Sequence, residues 1–361
     1  MTGDIQAMTR QWTEEFRAHT GRARIPASAM LELTRRCNLH CAHCYLGDQA
    51  AQHRRRGQER GTAQVKASLS EWAEAGCLYL LLTGGDPMLR PDFMAIYRHA
   101  RELGMVVTVY CNGTLVTDEI VALFRELPPR KVEISLYGAT AAIHDAVVGV
   151  PGSHERAWAG IRRLQAAGIR ITLKTMLLTT NRHELEAMEK QARELNVEFR
   201  HDAALFPCIE DSAPAPLAFR VPPEEAVRRD LAGPGRKEKW RETIERVAAF
   251  PEDDRLYACA AGKNFFHADP FGGFSPCLLA TRYRCEAAGR SFREVWDGDL
   301  AAIRRRRRAQ PAGGPLRGAC THCPAFNALE TGDEERESEY MRTTTLLRYE
   351  MAVSPESGDA R

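Results

Sequence analysis

Apolar segments alternate with amphipathic segments through the first 205 residues of the chain. The apolar runs are rich in Val, Ile and Leu and predict six short strands, at residues 30–34, 77–82, 106–110, 132–136, 170–177 and 197–201. The intervening segments carry apolar residues at helical spacing and predict helices at residues 64–75, 93–103, 118–126, 153–167 and 183–195. Apolar strands that alternate with helices indicate a parallel sheet covered by helices. The sequence therefore predicts an α/β fold, a partial (β/α)6 parallel barrel over residues 30–205, with its site at the carboxyl ends of the strands.

The rest of the chain is arranged around this barrel. An amphipathic helix at residues 4–20 makes residues 1–29 a helical extension that we expect to pack outside the barrel. Prolines become frequent after residue 205 and indicate a linker and a helix over residues 206–250. We expect a small unit over residues 251–330 and a tail over residues 331–361, with its last ten residues disordered.

Composition excludes several classes of protein. The chain carries 50 Lys and Arg against 48 Asp and Glu, so no overall field favours nucleic acid or a membrane surface. No apolar run approaches the roughly 18 residues of a membrane span, and the acidic N-terminal segment argues against a targeting signal. Eleven cysteines in such a chain indicate metal ligands rather than disulfides. We expect a cytoplasmic protein without a membrane or nucleic-acid partner.

Three of these cysteines stand within eight residues, directly after the first predicted strand. Cys37, Cys41 and Cys44 have the spacing Cys-x3-Cys-x2-Cys, which lets three thiolates converge from one loop on a soft metal centre. Iron–sulfur cubanes are usually held by four cysteines, so three local ligands leave one iron open for a ligand that is not protein. Buried thiols, or a zinc site completed by His40 or His43, are the alternatives.

This motif resembles the signature of the radical S-adenosylmethionine (SAM) enzymes, with His43 at the usual aromatic position. The resemblance implies a [4Fe-4S] cluster held by Cys37, Cys41 and Cys44. It also implies that SAM binds at the open iron and is reductively cleaved to a 5′-deoxyadenosyl radical that abstracts hydrogen from substrate. We assign His43 and the adjacent Tyr45 to cofactor binding.

The turns after later strands extend the resemblance. Gly84-Gly85-Asp86-Pro87 is similar to the Gly-Gly-Glu-Pro motif that contacts the SAM amino group, with the shorter Asp86 in place of Glu. Asn112 follows the third strand and Ser135 the fourth, where the family contacts the ribose and the methionine carboxylate. Lys174 on the fifth strand completes the assigned SAM contacts: Gly84, Gly85, Asp86, Pro87, Asn112, Ser135 and Lys174.

A second set of cysteines lies in the C-terminal unit. By spacing alone, Cys259, Cys277, Cys320 and Cys323 suffice for one zinc or iron–sulfur site. Beside the first motif they resemble the opening of a SPASM or twitch auxiliary-cluster domain. The next two SPASM positions fall on Pro311 and Gly314, so the resemblance implies a single auxiliary [4Fe-4S] cluster, the twitch arrangement. Cys208 and Cys285 are spare, and Cys285 is an alternative ligand.

The resemblance covers about residues 30 to 330 and indicates chemistry better than substrate. Residues 135–145 resemble SPASM-type peptide maturases, which favours modification of a ribosomally made peptide. A twitch-type dehydrogenase of a sugar or aminocyclitol alcohol, or a non-enzymatic iron–sulfur scaffold, are the alternatives. We expect a flavodoxin- or ferredoxin-type electron donor and, because only about 30 residues precede the first strand, a separate leader-peptide-binding protein. Five consecutive arginines, Arg304 to Arg308, predict a solvated stretch or a contact with an acidic partner.

Overall fold

The parallel sheet is the centre of the computed structural model, which describes residues 2–211, 213, 215–233, 235–248, 254–309 and 323–353. Within these residues one sheet of nine strands has the order β6-β5-β4-β3-β2-β1-β7-β8-β9. Its first six strands pair in parallel in the order of the chain, which confirms the predicted α/β fold class. They are β1 (Ser28–Thr34), β2 (Tyr79–Gly84), β3 (Val106–Cys111), β4 (Lys131–Ser135), β5 (Ile171–Met176) and β6 (Glu198–Asp202).

Helices cover this sheet because each presents an apolar face to it. Leu69 and Trp72, Ile96 and Tyr97, and Leu164 are fully buried, as periodicity over these segments predicts. The helices over the first 205 residues are α1 (Thr2–Arg22), α2 (Gln49–Arg54), α3 (Thr62–Glu74), α4 (Phe93–Glu102), α5 (Asp118–Glu126), α6 (Ala141–Val148), α7 (Ser153–Ala166) and α8 (Leu185–Glu194).

The C-terminal strands continue the barrel sheet instead of forming a sheet of their own. They are β7 (Phe265–Ala268), β8 (Gly273–Ser275) and β9 (Cys285–Glu286). Strand β7 pairs in parallel with β1, and β8 and β9 follow antiparallel. Phe266 of β7 packs against Trp72 of α3, with ring centroids 5.1 Å apart. The C-terminal unit thus begins beside the strand that leads into the first cysteine motif.

Of the six further helices in the described residues, the sequence pattern predicted only one, the helix that follows the proline-rich segment. They are α9 (Pro223–Leu231), α10 (Arg236–Ala248), α11 (Phe292–Val295), α12 (Ala301–Arg304), α13 (Pro324–Thr331) and α14 (Glu339–Val353). Helix α9 was missed because Pro223 was taken as a breaker, although proline is well suited to the first turn of a helix. Helix α14 buries Thr344, Thr345 and Arg348, so its inner face lacks an apolar stripe. Residues 354–361, which include most of the expected disordered end, lie outside the described residues.

The predicted linker lies against the first cysteine loop. The Ile209 amide donates to the carbonyl of Tyr45 at 3.0 Å, and the rings of Tyr45 and Phe206 are 5.7 Å apart. Leu46, Ile209 and Leu329 of α13 form one buried apolar cluster. This cluster joins the first cysteine loop to the C-terminal unit.

The arginine run is partly built into the fold, so the expectation of a solvated stretch is wrong for Arg304. Arg304 is buried, and its Nη1 donates to the Cys259 carbonyl at 3.1 Å. Arg306 and Arg307 are exposed but pair with Glu334 and Asp254 of the same chain. In the described part of the chain, no helix combines the length and apolarity that crossing a membrane requires.

Candidate active site

The first cysteine loop leaves β1 at Thr34 and is held by hydrogen bonds from neighbouring elements. The Cys37 amide donates to Oε1 of Gln49 at 2.7 Å, and the His40 amide donates to the Val148 carbonyl at 2.8 Å. Gln49 is positioned because Asp48 caps α2, accepting from the amides of Ala50 and Ala51. The end of α2 and the end of α6 therefore fix the loop on two sides.

Cys37, Cys41 and Cys44 all line one cavity of about 420 Å³ above the carboxyl ends of the strands. Burial raises the pKa of Cys37 to about 12 and raises the pKa of Cys41 and Cys44 above their ordinary value. Each thiol would ionise more readily beside a cation, so bound iron would stabilise the thiolate form. The donor set therefore fits a cluster in which three irons have a cysteine ligand.

In the described ranges, no group of three or more His, Cys, Asp or Glu side chains is gathered closely enough for a single metal ion. A cubane binds each thiolate at a different iron, which separates its ligands more widely than those of one ion.

The cavity size falls within the range of small-molecule sites, and its walls carry most of the predicted SAM contacts. His43 is buried with its ring 4.6 Å from that of Tyr137, and burial lowers the pKa of His43 to about 4. It is therefore neutral near pH 7. The predicted contacts that line the cavity are His43, Tyr45, Gly84, Gly85, Asn112, Ser135 and Lys174.

Asp86 and Pro87 are not among the described cavity-lining residues, and the structure gives Asp86 another use. Its two carboxylate oxygens accept from the amides of Met88 and Asn112, each at 2.9 Å. Complete burial raises the pKa of Asp86 to about 6. The side chain thus ties the turn after β2 to the end of β3, and it positions Asn112 beside the cavity.

Gly84 and Gly85 are required by the neighbouring backbone. Gly84 has a φ of +139°, and a Cβ there would lie 1.9 Å from the Thr34 carbonyl oxygen. A Cβ on Gly85 would lie 2.3 Å from the Arg36 carbonyl oxygen. Because these are backbone atoms of the first cysteine loop, they cannot move aside as a side chain would. A residue larger than glycine at either position would therefore collide with the chain itself.

Asn112 links the end of β3 to the first cysteine loop. Its Nδ2 donates to Oδ1 of Asn38 at 2.8 Å and lies 3.6 Å from Sγ of Cys37. Its Oδ1 accepts from the Thr114 amide at 2.9 Å, which fixes the direction of the side-chain amide. The same group that faces the cavity therefore also donates toward a candidate iron ligand.

Glu133 and Arg200, which sequence reasoning missed, line the cavity beside the predicted Lys174. Nζ of Lys174 lies 3.9 Å from Oε2 of Glu133 and 3.2 Å from the ring centroid of Tyr110. Arg200 lies 3.5 Å from Oε1 of Glu133. Burial lowers the pKa of Lys174 to about 7. The sequence contained a signal for this group. Glu133 stands between the core residues Val132 and Ile134, and because side chains alternate along a strand, it must face the inside of the barrel.

The C-terminal unit brings together three of its four predicted ligands. Burial raises the pKa of Cys277 to about 12, and the neighbouring Cys323 and Cys259 contribute to that shift. Three separate segments therefore meet there: the loop before β7, the loop after β8 and the start of α13. Cys320 lies outside the described residues, as do Pro311 and Gly314.

The spare cysteines face other surroundings. Sγ of Cys285 lies 3.5 Å from the Phe274 carbonyl. Burial and the charge of Asp299 raise the pKa of Cys285 to about 11, while Arg290 opposes this shift. Cys208 is beside the first cysteine loop, with Sγ 3.8 Å from the Cys44 carbonyl.

Comparison with known proteins agrees with this geometry. Residues 31–192 match the model of the Radical SAM superfamily. The chain is 28% identical over 332 residues, 86% of its own length and 94% of the relative, to the AdoMet-dependent heme synthase of Methanosarcina barkeri. It is 27% identical over 328 residues, 85% of its length and 81% of the relative, to the PqqA peptide cyclase of Rhodopseudomonas palustris.

A solved structure shares the fold. Streptococcus suis SuiB bound to its precursor peptide SuiA has a TM-score of 0.67 at 15% identity, covering 93% of this chain and 81% of SuiB. The three-cysteine loop at the carboxyl edge of the sheet lies within the matched residues 31–192. The chain therefore contains a Radical SAM domain and is an enzyme. Such a domain implies a [4Fe-4S] cluster and SAM as cofactors.

Proposed function

We propose that this enzyme cleaves SAM reductively and abstracts hydrogen from a ribosomally made peptide, as one step of that peptide's maturation. The observation that carries the proposal is the single cavity bounded by Cys37, Cys41, Cys44 and seven predicted SAM contacts. The similarity to PqqA peptide cyclase and to the SuiB fold supports a peptide as substrate. A bound cluster would supply the electron that breaks the sulfonium bond, and a flavodoxin- or ferredoxin-type protein would supply that electron to the cluster.

The chain's own residues bind and orient SAM. We assign Asn112 and Ser135 to its polar groups, since both stand at strand ends that line the cavity. We assign Lys174 to the methionine carboxylate of SAM, because it is a cation on the cavity wall. Its Nζ lies 3.9 Å from Oε2 of Glu133. His43 is neutral and packs on Tyr137, so it closes the cavity beside the thiols.

We further propose one auxiliary [4Fe-4S] cluster on Cys259, Cys277, Cys320 and Cys323. With four cysteine ligands it would have no open iron, and it would supply an acceptor for the electron that remains on the substrate radical after hydrogen abstraction. The apolar cluster of Leu46, Ile209 and Leu329 packs against both Cys44 of the first cysteine loop and Leu278, which follows Cys277.

A tetrapyrrole is the second candidate substrate. The heme synthase relative aligns over nearly its whole length, and the cavity carries Lys174 and Arg200, cations that suit propionate carboxylates. The peptide is preferred because the PqqA peptide cyclase relative and the SuiB structure bound to its precursor peptide both point to a peptide.

The experiment uses anaerobically reconstituted protein with dithionite and SAM. We expect 5′-deoxyadenosine without substrate, and faster formation with a short peptide encoded beside this gene, together with a mass change in that peptide. An iron porphyrin bearing propionates is run in parallel, with Cys41→Ala as the control. If only the porphyrin is turned over, the substrate is a tetrapyrrole and not a peptide. If no 5′-deoxyadenosine forms under any condition, the proposed chemistry is refuted.

A further inference from the structure

A buried carboxylate lies in the sheet between the two cysteine sites. Glu32 is on β1, five residues before Cys37, and it is completely buried. Its Oε2 accepts from Nε of Arg35 at 3.0 Å and lies 3.3 Å from Nε2 of His267 on β7. His267 is also buried, and in the sheet register it stands opposite Met30, two residues before Glu32. This contact exists only because β7 joins the barrel sheet.

His267 continues the contact to the C-terminal unit. Its Nδ1 lies 3.0 Å from Oγ of Ser275, and that hydroxyl donates to the Cys277 carbonyl at 2.9 Å. A hydroxyl has one proton, so Ser275 must accept from Nδ1–H of His267. A chain of polar contacts thus runs from Glu32 through His267 and Ser275 to the backbone of a candidate cluster ligand.

The direction of these contacts determines where the charge lies. With Nδ1 protonated, a neutral His267 would present a bare Nε2 to a carboxylate oxygen 3.3 Å away, which is repulsive. A proton must therefore lie between the two groups. Burial alone would raise the pKa of Glu32, but the hydrogen bonds from His267 and Arg35 and their charges outweigh burial and lower it. Because the Arg35 guanidinium donates to the same oxygen at 3.0 Å, the ionised carboxylate is favoured on Glu32 and the shared proton belongs on the His267 side of the contact.

Glu32 also acts on the first cysteine loop through its charge. Burial is the main cause that raises the pKa of Cys44 and of Tyr45, and the negative charge of Glu32 adds to both shifts. The groups that face Glu32 and His267 from the packed elements are Arg35, Ser275 and, through Arg35, Glu210. The charge of Glu32 therefore acts on the first cysteine loop and also on His267 of β7.

We propose that Glu32 and His267 form a buried carboxylate–imidazolium pair that sets the reduction potential of the auxiliary cluster through Ser275 and Cys277. The inference rests on the auxiliary cluster of the proposed function. Potentials of iron–sulfur clusters respond to nearby charge and to hydrogen bonds at their ligands. The two residues are positioning residues, because neither contacts SAM or substrate in this assignment.

The test is a redox titration, followed by electron paramagnetic resonance, of the full-length reconstituted protein without substrate. Adding SAM perturbs only the cluster with an open iron and so identifies the two signals. His267→Gln removes a positive charge and should shift the auxiliary potential downward, whereas Glu32→Gln removes a negative charge and should shift it upward. The double variant should return close to the parent. His99→Gln is the matched control, since His99 contacts Ser70 Oγ at 3.1 Å on the opposite side of α3.

The outcomes separate the inference from the proposed function. Unmoved auxiliary potentials in both single variants, or shifts in the same direction, would overturn the inference while leaving the cluster and SAM cleavage intact. A parent protein with only one cluster signal would refute the auxiliary cluster, and the inference with it. If Glu32→Gln does not fold by circular dichroism, the pair is tested by His267→Gln against Ser275→Ala. Ser275→Ala keeps both charges and should cause the smaller shift; an equal or larger shift would overturn the inference.

Discussion

The two cysteine sites differ in how the chain builds them. Cys37, Cys41 and Cys44 lie in one loop whose backbone is bonded to Gln49 and Val148, so its shape is set by adjacent elements. The C-terminal set is drawn from residues 259–323, and Cys259 is exposed. A site made from one loop can be recognised in the sequence and preformed in the fold. A site made from distant segments depends on the tertiary structure and, more than the first, on its metal.

The largest expected effect comes from removing the first site. Cys37/Cys41/Cys44→Ala should abolish formation of 5′-deoxyadenosine, because the open iron is lost. The parent should hold about eight irons as two cubanes, and the triple variant about four. Iron analysis and chromatography of the reaction measure both quantities. About twelve irons in the parent would contradict the assignment of a single auxiliary cluster, and zinc in place of iron would contradict both iron–sulfur sites.

Removing a ligand of the second site should separate the two roles. Cys277→Ala should retain cleavage of SAM without substrate but lose product formation, since the electron has no acceptor. Cys285→Ala, in the same small unit, is the matched control and should behave like the parent. Circular dichroism must first exclude unfolding. A folded Cys277→Ala protein that forms product at the parental rate would make the second site structural, and loss of product in Cys285→Ala would make Cys285 a ligand.

Gly85 tests how far the first site depends on packing. A Cβ at Gly85 meets backbone of the first cysteine loop, so Gly85→Ala should lower the free energy of unfolding by about 1–3 kcal/mol. Gly57→Ala is the control, because a Cβ there meets nothing within 4 Å. Urea unfolding of the two variants gives the difference. Equal urea midpoints for the two variants would mean that the turn after β2 accommodates a Cβ at Gly85 without loss of stability.

The smallest expected effect concerns the pH dependence of SAM binding. Burial lowers the pKa of Lys174 to about 7. A carboxylate binds the protonated amine, so affinity should fall as pH rises through 7, roughly tenfold between about pH 6 and pH 8. Lys174→Met should bind SAM more weakly at the lower pH and lack this slope, while exposed Lys190→Met keeps it. Calorimetric titration measures it; a parental slope in Lys174→Met would remove the lysine from the SAM site.

What the sequence could predict follows the same contrast. Apolar strands and amphipathic helices leave local patterns, and the six barrel strands were found within a few residues of their bounds. The pairing of β7 with β1 leaves no local pattern, because it joins segments more than 200 residues apart. The hydrogen bond to Asp86 leaves no local pattern for a similar reason, since the amide of Asn112 that it accepts from is 26 residues away. The coupling of Glu32 to His267 could not be read at all before the sheet order was known.

The pairing of β7 with β1 also gives the barrel a protected side. Residues Ser28 to Leu31 have neighbours on both flanks, Tyr79 to Leu82 on one and Phe265 to Ala268 on the other. Without β7, the first strand of the barrel would present a row of unpaired amides and carbonyls, and such an edge recruits strands from other chains. The C-terminal unit therefore also covers the edge that β1 would otherwise expose. A chain ending at the linker would keep every residue of the first cysteine motif and yet tend to aggregate.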